Sequence, residues 1–363
     1  MKNQSKKNFS KLITGIVTAQ GQEVKLGIDL HARDAVVCMQ VDGSLPQRPL
    51  RLEAAQLESL VGELLKAGLK VHACYEAGPC GYSLYRRLTR MGATVFVVAP
   101  VSLADARKQK TDNLDARGLV DQLDRYLRGN KKAFTVIRVP SEEEEQARVR
   151  SRMRDQMKNS RKGWEARGRS LLLAQGFHVK GCWWGPRKWK DLRAGLPEWL
   201  VGELEMMREV LLMLDEKEKT LRKELIEEVN VPLPVGIGAL TWVMLCREIC
   251  DWGRFKNRRQ VAGFVGLCAG VHQSGGSSRD LSINRHGNPR IRALLIEAVW
   301  RLVRWQPDYP PVRQLVEKLV SGRARRKIAV AAARKLAIDL WRLATGQTTP
   351  EKLGLRLPEV AAA

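Results

Sequence analysis

From Glu23 to Val98, short apolar runs alternate with longer segments of helical periodicity, and no other feature restricts the fold as tightly. EVKLGIDL and AVVCMQV are strand-length runs parted by a polar turn, which predicts a β-hairpin. Leu57, Leu60, Val61, Leu64 and Leu65 recur at the helical period and predict a helix over Arg51 to Ala67. KVHACYE predicts another strand, ending in the turn Ala77-Gly78-Pro79. Tyr82 to Met91 reads as a helix and ATVFVV as a strand. Such alternation gives an α/β domain, because helices and a sheet each need the other to cover their apolar faces.

Carboxylates mark this domain at four places. Asp29 interrupts the first apolar run, and Glu76 closes a later one. Asp112 and Asp115, in KTDNLDAR, lie three residues apart and so share one face of a helix, close enough to share a divalent cation. Arg107, Lys108, Lys110 and Arg117 surround that pair with positive charge. Each acid alone reads equally well as a solvated side chain. Together they form the set that two-metal phosphoryl-transfer chemistry uses, since hard Mg²⁺ prefers carboxylate oxygen.

Beyond Lys131 the pattern turns helical. Residues 141–175 read as one long Arg-rich helix, capped by Ser141 and opened by a run of glutamates that suits the helix dipole. Glu198 to Glu228 reads as a second long helix, and the two suggest an antiparallel coiled-coil arm. The linker CWWGPRKWKDLRAGLP interleaves tryptophans with basic residues, an arrangement for stacking on bases or for packing between the helices.

The 363 residues carry 63 Lys and Arg against 39 Asp and Glu, a formal charge of +24 that favours a polyanionic partner. Residues 251–345 hold 19 Lys and Arg against 6 Asp and Glu, more than half of that excess. No apolar run approaches the roughly 18 residues of a membrane span, and the N-terminus lacks a signal-peptide core, so nucleic acid is expected as the partner and the cytoplasm as the location. Seven cysteines without a CxxC pair read as reduced thiols. The five histidines are scattered, which argues against an all-histidine metal or acid–base site.

The last third forms a separate domain. Pro234-Val235-Gly236-Ile237-Gly238 before an apolar helix has the form of a helix-hairpin-helix, whose glycines let backbone N–H groups approach phosphate; a plain helix–helix turn fits as well. Lys256, Arg258 and Arg259 add a basic helix start. GLCAGVHQSGGSSR reads as a flexible Gly/Ser loop, suited to cradling phosphate or presenting a hydroxyl, and leads into INRHGNPRIR and a long apolar helix.

The order Asp29, Glu76 in YEAG, Asp112 and Asp115 in KTDNLDAR, then QSGG and NRHGNPRIR, resembles the DEDD transposases of the insertion-sequence one-ten family over roughly residues 24–345. The resemblance implies an RNase H-like (RuvC-like) domain at 23–135 behind a basic arm at 1–22, a coiled-coil arm at 136–229, a C-terminal helical transposase domain at 230–346 and a tail at 347–363. It implies Mg²⁺ or Mn²⁺ on Asp29, Glu76, Asp112 and Asp115, and Ser274 as a nucleophile that forms a covalent phosphoserine with DNA. Arg279, Arg285, Asn288 and Arg290 would hold the strand with the basic and glycine positions named above. Donor and target DNA, a structured non-coding guide (bridge) RNA and a homo-oligomer, dimer or tetramer, are the implied partners. Two features depart from the family pattern: Ala269-Gly270 stands where a proline often precedes the serine, and Ser277, Ser278 and Ser282 crowd Ser274. A Mg²⁺-dependent junction-resolving endonuclease using water, and a non-catalytic packaging protein, are the alternative readings.

Overall fold

The computed structural model describes residues 9–18, 22–100, 111–274, 277–283, 287–317 and 322–358, and the chain divides into two compact units, Met1–Val139 and Pro140–Ala363. Arg107, Lys108 and Lys110, singled out above, lie outside the described residues, as does Arg285.

In the first unit, helix α1 (Ser10–Thr18) precedes strands β1 (Glu23–Leu30), β2 (Asp34–Val41) and β3 (Leu50–Glu53). Helix α2 (Ala54–Lys66), strand β4 (Lys70–Glu76), helix α3 (Ser83–Met91), strand β5 (Thr94–Val98) and helix α4 (Asp112–Leu127) follow. The five strands form one mixed sheet in the order β3-β2-β1-β4-β5, with β1–β2 and β2–β3 antiparallel and β1–β4 and β4–β5 parallel. This sheet fits the RNase H-like expectation.

The pleat sorts the strand residues onto two faces. Val24, Leu26, Ile28, Ala73 and Tyr75 face α1, α2 and α3, where Leu57, Leu60, Val61 and Leu64 are fully buried. Each of those four side chains contributes about 1.5–3 kcal/mol by leaving water. The opposite face carries Val36, Cys38 and Cys74 and is covered by Ala116, Leu119, Val120 and Leu123 of α4. Gly27 makes that contact close: a Cβ there would stand 2.3 Å from the Ala116 carbonyl oxygen and 2.4 Å from the Val120 amide nitrogen. Only a glycine lets the helix backbone lie directly on the strand.

Two expectations change here. Residues 50–53 pair with β2 as an edge strand, and the helix starts only at Ala54, where Glu53 and Gln56 form a capping box. The apolar period of α2 ran back into Arg51-Leu52 and concealed the boundary. Residues 10–18, within the expected basic arm, form the helix α1, because Phe9, Ile13 and Ile16 fall on one helical face and are buried in the core of this unit.

The second unit is mostly helical. Helices α5 (Glu142–Ala174) and α7 (Glu198–Glu227) run antiparallel, joined by the short helix α6 (Pro186–Arg193). The register is visible in Arg150 pairing with Glu224, Arg154 with Glu218, and Arg161 with Asp215 and Glu218. Ser141 caps α5 in a reciprocal box with Glu144, as its sequence predicts. Trp183, Trp184 and Trp189 are buried at the α6 end of the pair with Leu172, Leu200 and Leu204. Trp183 lies flat on Gly168, where a Cβ would come within 2.1 Å of its ring, and donates its indole N–H to the Glu165 carbonyl. These three tryptophans pack rather than offer a face for stacking.

Helices α8 (Ala239–Ile249), α9 (Arg258–Val265), α10 (Pro289–Trp305), α11 (Pro310–Glu317), α12 (Gly322–Ala344) and α13 (Pro350–Leu353) complete the unit. Strands β6 (Ala269–Ser274) and β7 (Ser277–Ile283) are inserted between α9 and α10 as an antiparallel hairpin. Gly266 and Gly287 stand back to back at its base: a Cβ on Gly287 would meet the Gly266 nitrogen at 2.2 Å. The core joins Ile291, Leu295, Val299 and Leu302 of α10 to Leu336 and Leu340 of α12.

Candidate active site

The strand register brings the predicted acids together. Ile28 pairs with Tyr75 in the parallel β1–β4 ladder, so Asp29 and Glu76 take the next positions along, at the carboxyl ends of adjacent strands and on the face that α4 covers. Helix α4 runs antiparallel to β1. Lys25 reaches Asp124 at 2.7 Å near one end, Gly27 lies on Ala116 and Val120, and the first turn comes to Asp29. Thr111 caps that turn by accepting from the Leu114 amide. Asp112 and Asp115 therefore stand at the amino end of α4, where the helix dipole stabilises negative charge.

Asp29, His31 and Asp112 each offer a donor atom within 4.8 Å of the other two. His31 Nε2 is 3.3 Å from Asp29 Oδ2 and 3.4 Å from Asp112 Oδ2, yet it makes no hydrogen bond and is shielded from solvent. The ring is held in the β1–β2 turn, where the His31 amide donates to the Asp34 carbonyl at 2.9 Å. Ligands around a divalent ion at 2.0–2.2 Å lie at most about 4.4 Å apart, so this set fits a cation with a small closing movement. Glu76 is exposed and Asp115 half-buried, and neither belongs to the trio.

Among the described residues, Arg51 of β3 brings positive charge to these acids, donating to Asp112 Oδ2 at 2.6 Å and to both Asp34 oxygens at 3.0 Å. That hydrogen bond outweighs partial desolvation and holds the Asp112 carboxyl below the usual carboxylate range. Neither His31 nor Arg51 was a candidate from sequence. His31 stands two residues beyond Asp29, the spacing at which strand side chains share a face. Arg51 was read as part of a helix.

In the second unit the candidates part company. Ser274 is the last residue of β6 and pairs with Ser277, so the expected flexible loop is an ordered hairpin up to that point. The Gly275-Gly276 pair between two strand-like runs was the missed signal. Lys256, Arg258 and Arg259 are exposed at the start of α9, where Asn257 caps the helix. Gly238 precedes α8 with open space around it. Gly236 adopts φ +90°, packs on Leu302, and its carbonyl accepts from Arg301. Asn288 caps α10 and donates its amide to Glu248 at 2.9 Å. Arg290 pairs with Asp155 and Glu248, so both side chains are committed within the protein.

Glu248 is a further acid that the sequence does not reveal. Its side chain is 2% exposed and takes a bidentate pair from Arg152 at 2.9 and 3.0 Å. Burial works to raise its pKa, but the hydrogen bonds from Arg152 and Asn288 outweigh this and hold it below the ordinary value.

Comparison with known proteins agrees with this geometry. A DEDD transposase family model matches residues 26–176, spanning all four predicted acids, and a model described as Transposase IS116/IS110/IS902 family matches residues 234–313. A candidate transposase of Sinorhizobium fredii, y4rJ, is 29% identical over 313 residues, 78% of this chain and 79% of its own. The transposase for insertion sequence element IS1111A of Coxiella burnetii is 25% identical over 316 residues, 82% of this chain and 83% of its own. No helix among the described residues is long and apolar enough to cross a membrane. With Asp29 and Asp112 together at the sheet end and both family models matched in order, the chain belongs to the IS110/IS116/IS902 family of DEDD transposases.

Proposed function

We propose that this transposase is RNA-guided and cuts and rejoins DNA through a serine, by way of a covalent phosphoserine. The observation that carries the reading is the convergence of Asp29 and Asp112 at the carboxyl ends of the sheet, with Glu76 at the neighbouring strand position and Asp115 one turn along α4. These four carboxylates would hold Mg²⁺ or Mn²⁺, which when bound neutralises charge on the scissile phosphate and eases deprotonation of the attacking hydroxyl.

Ser274 Oγ attacks the phosphorus. The Oγ–P bond forms as the P–O bond to the departing strand breaks, and the serine proton ends on the released hydroxyl. Attack by the hydroxyl of a new strand reverses the step and restores the serine. Ester bonds are conserved throughout, so rejoining needs no high-energy cofactor. Lys256, Arg258, Arg259, Arg279 and Arg285 hold phosphates, and the Gly236–Gly238 turn before α8 serves as a helix-hairpin-helix whose open amino end receives another. Asn288 and Arg290 position this unit through Glu248 and add little direct contact. The α5–α7 pair acts as a coiled-coil arm joining subunits, two per duplex junction and four when both duplexes are engaged. A structured RNA supplies sequence recognition, and the +24 charge makes its binding strongly salt-dependent.

The test uses the full chain with its co-purified RNA, a duplex carrying an element end, and Mg²⁺. Wild type is expected to give a protein–DNA adduct that survives denaturation, together with rejoined strands. Ser274→Ala is expected to bind both nucleic acids and give neither product. Free ends without an adduct would make water the nucleophile and the chain a junction-resolving nuclease. A folded protein that binds and never cuts would be a packaging protein.

A further inference from the structure

Among the described residues, the trio at the sheet end contains one donor that the four-carboxylate scheme does not use. His31 Nε2 faces Asp29 and Asp112 at 3.3 and 3.4 Å, is closed to solvent, and has no hydrogen-bond partner. An imidazole nitrogen in that position is costly to bury unsatisfied. The two carboxylates beside it lie within its reach but outside hydrogen-bond geometry, which is the arrangement expected when all three atoms point at a common centre. The His31 amide bond to Asp34 fixes the backbone of the β1–β2 turn that carries the ring, so only a small closing movement is needed for the nitrogen to meet an ion.

We propose that His31 Nε2 is a direct ligand of the divalent cation held by Asp29 and Asp112. The proposal rests on the metal-site part of the proposed function and departs from its all-oxygen ligand set. Its chemical consequence is metal choice. Carboxylate oxygens suit Mg²⁺ and Mn²⁺ alike, whereas a neutral imidazole adds affinity for first-row transition ions that Mg²⁺ cannot match. The site then favours Mn²⁺ over Mg²⁺, and replacing the nitrogen by oxygen narrows that preference.

The experiment titrates Mn²⁺ alone into the full-length protein and records pulsed electron paramagnetic resonance, in which a directly coordinated ¹⁴N gives a larger hyperfine coupling than nitrogens outside the shell, and it is this coupling that is read as nitrogen modulation. Wild type is expected to show nitrogen modulation that disappears in His31→Ala. Calorimetry with Mn²⁺ and Mg²⁺ is expected to show the Mn²⁺ preference reduced about tenfold in His31→Asp, which retains a charged oxygen ligand. Circular dichroism of both variants should match wild type, because His31 stands half-exposed in a turn. Bound Mn²⁺ without nitrogen modulation in wild type, or modulation that persists in His31→Ala, overturns the proposal and leaves the four-carboxylate site standing. Mn²⁺ binding unchanged in Asp29→Asn overturns both.

Discussion

Two acidic clusters in this chain invite comparison, one at the amino end of α4 and one around Glu248. In the second, Glu248 is buried and answered in full: Arg152 grips it bidentately, Asn288 donates to it, and Arg290 bridges it to Asp155. In the first, Asp29 and Asp112 are partly exposed, a histidine nitrogen stands between them without a hydrogen bond, and the nearby guanidinium of Arg51 is shared with Asp34. The same residue type serves two ends. Where the chain supplies the counter-charge itself, a carboxylate fastens helices together. Where two carboxylates converge on one histidine nitrogen and share a guanidinium with a third, they keep affinity for a cation from outside.

The sharpest way to break that contrast is Asp29→Asn. It should lower strand cleavage by about a thousandfold or more, since loss of a metal ligand forfeits several kcal/mol of transition-state stabilisation. Its melting temperature should stay at or slightly above wild type, because carboxylate crowding is relieved. Cleavage within tenfold of wild type would remove Asp29 from the site.

Gly27→Ala should act on the same site from behind. The added methyl cannot coexist with the Ala116 carbonyl, so α4 must lift from β1, at a cost of about 2–4 kcal/mol in chemical denaturation and with loss of cleavage. Unchanged stability would mean that the strand–helix contact is looser than described.

Glu248→Ala should reverse the pattern of Asp29→Asn, costing stability while sparing the metal. Removing one partner of a buried pair leaves charge uncompensated, here about 2–3 kcal/mol after allowing for the solvent exposure of Arg152 and Arg290. Mn²⁺ affinity should not change. The pH dependence carries a sign. Because the folded-state pKa of Glu248 is depressed, its contribution is full above the ordinary glutamate range and is lost as pH falls through the lowered value. Acid titration of wild type should therefore show a loss of stability below about pH 4.5 that is missing in Glu248→Gln.

Arg51→Ala should have the smallest effect. Without its hydrogen bond the Asp112 carboxyl returns toward the usual range, and the apparent Mn²⁺ affinity measured between pH 5 and pH 8 should become more pH-dependent at the acid end. A loss of cleavage as severe as that of Asp29→Asn would make Arg51 a participant in the chemistry.

Asp29 and Asp112, which the fold brings together, were legible in the sequence because their signals are local: a polar residue in an apolar strand and an acid at a helix start. The sheet was legible from its alternating runs, apart from β3, whose four residues borrow the period of the following helix. His31 carries no sequence signal of its own, because a lone histidine beside a strand end has no periodic signature. Ser274 reads as a loop residue because Gly275-Gly276 suits a flexible segment and a two-residue hairpin turn alike, and only the pairing of Ser274 with Ser277 separates them. Glu248 and Arg290 stand outside any sequence pattern, since the partner of Glu248 on α5 lies 96 residues away and that of Arg290 lies 135 residues away. Tertiary partnership alone turned Arg290 from a phosphate-binding candidate into a fastening.

The fastening also has a mechanical side. It grips α5 near Arg152 and Asp155, and from there to Ala174 the helix continues for about 30 Å. The far end is stiffened by Trp183 lying on Gly168. A rod clamped at one end and rigid along its length works as a lever: a tilt of about 10° at the clamp carries the tryptophan end through about 5 Å. Small shifts in the packing of Glu248 against its arginines would thus reach the tip multiplied, as displacement comparable to one turn of a helix.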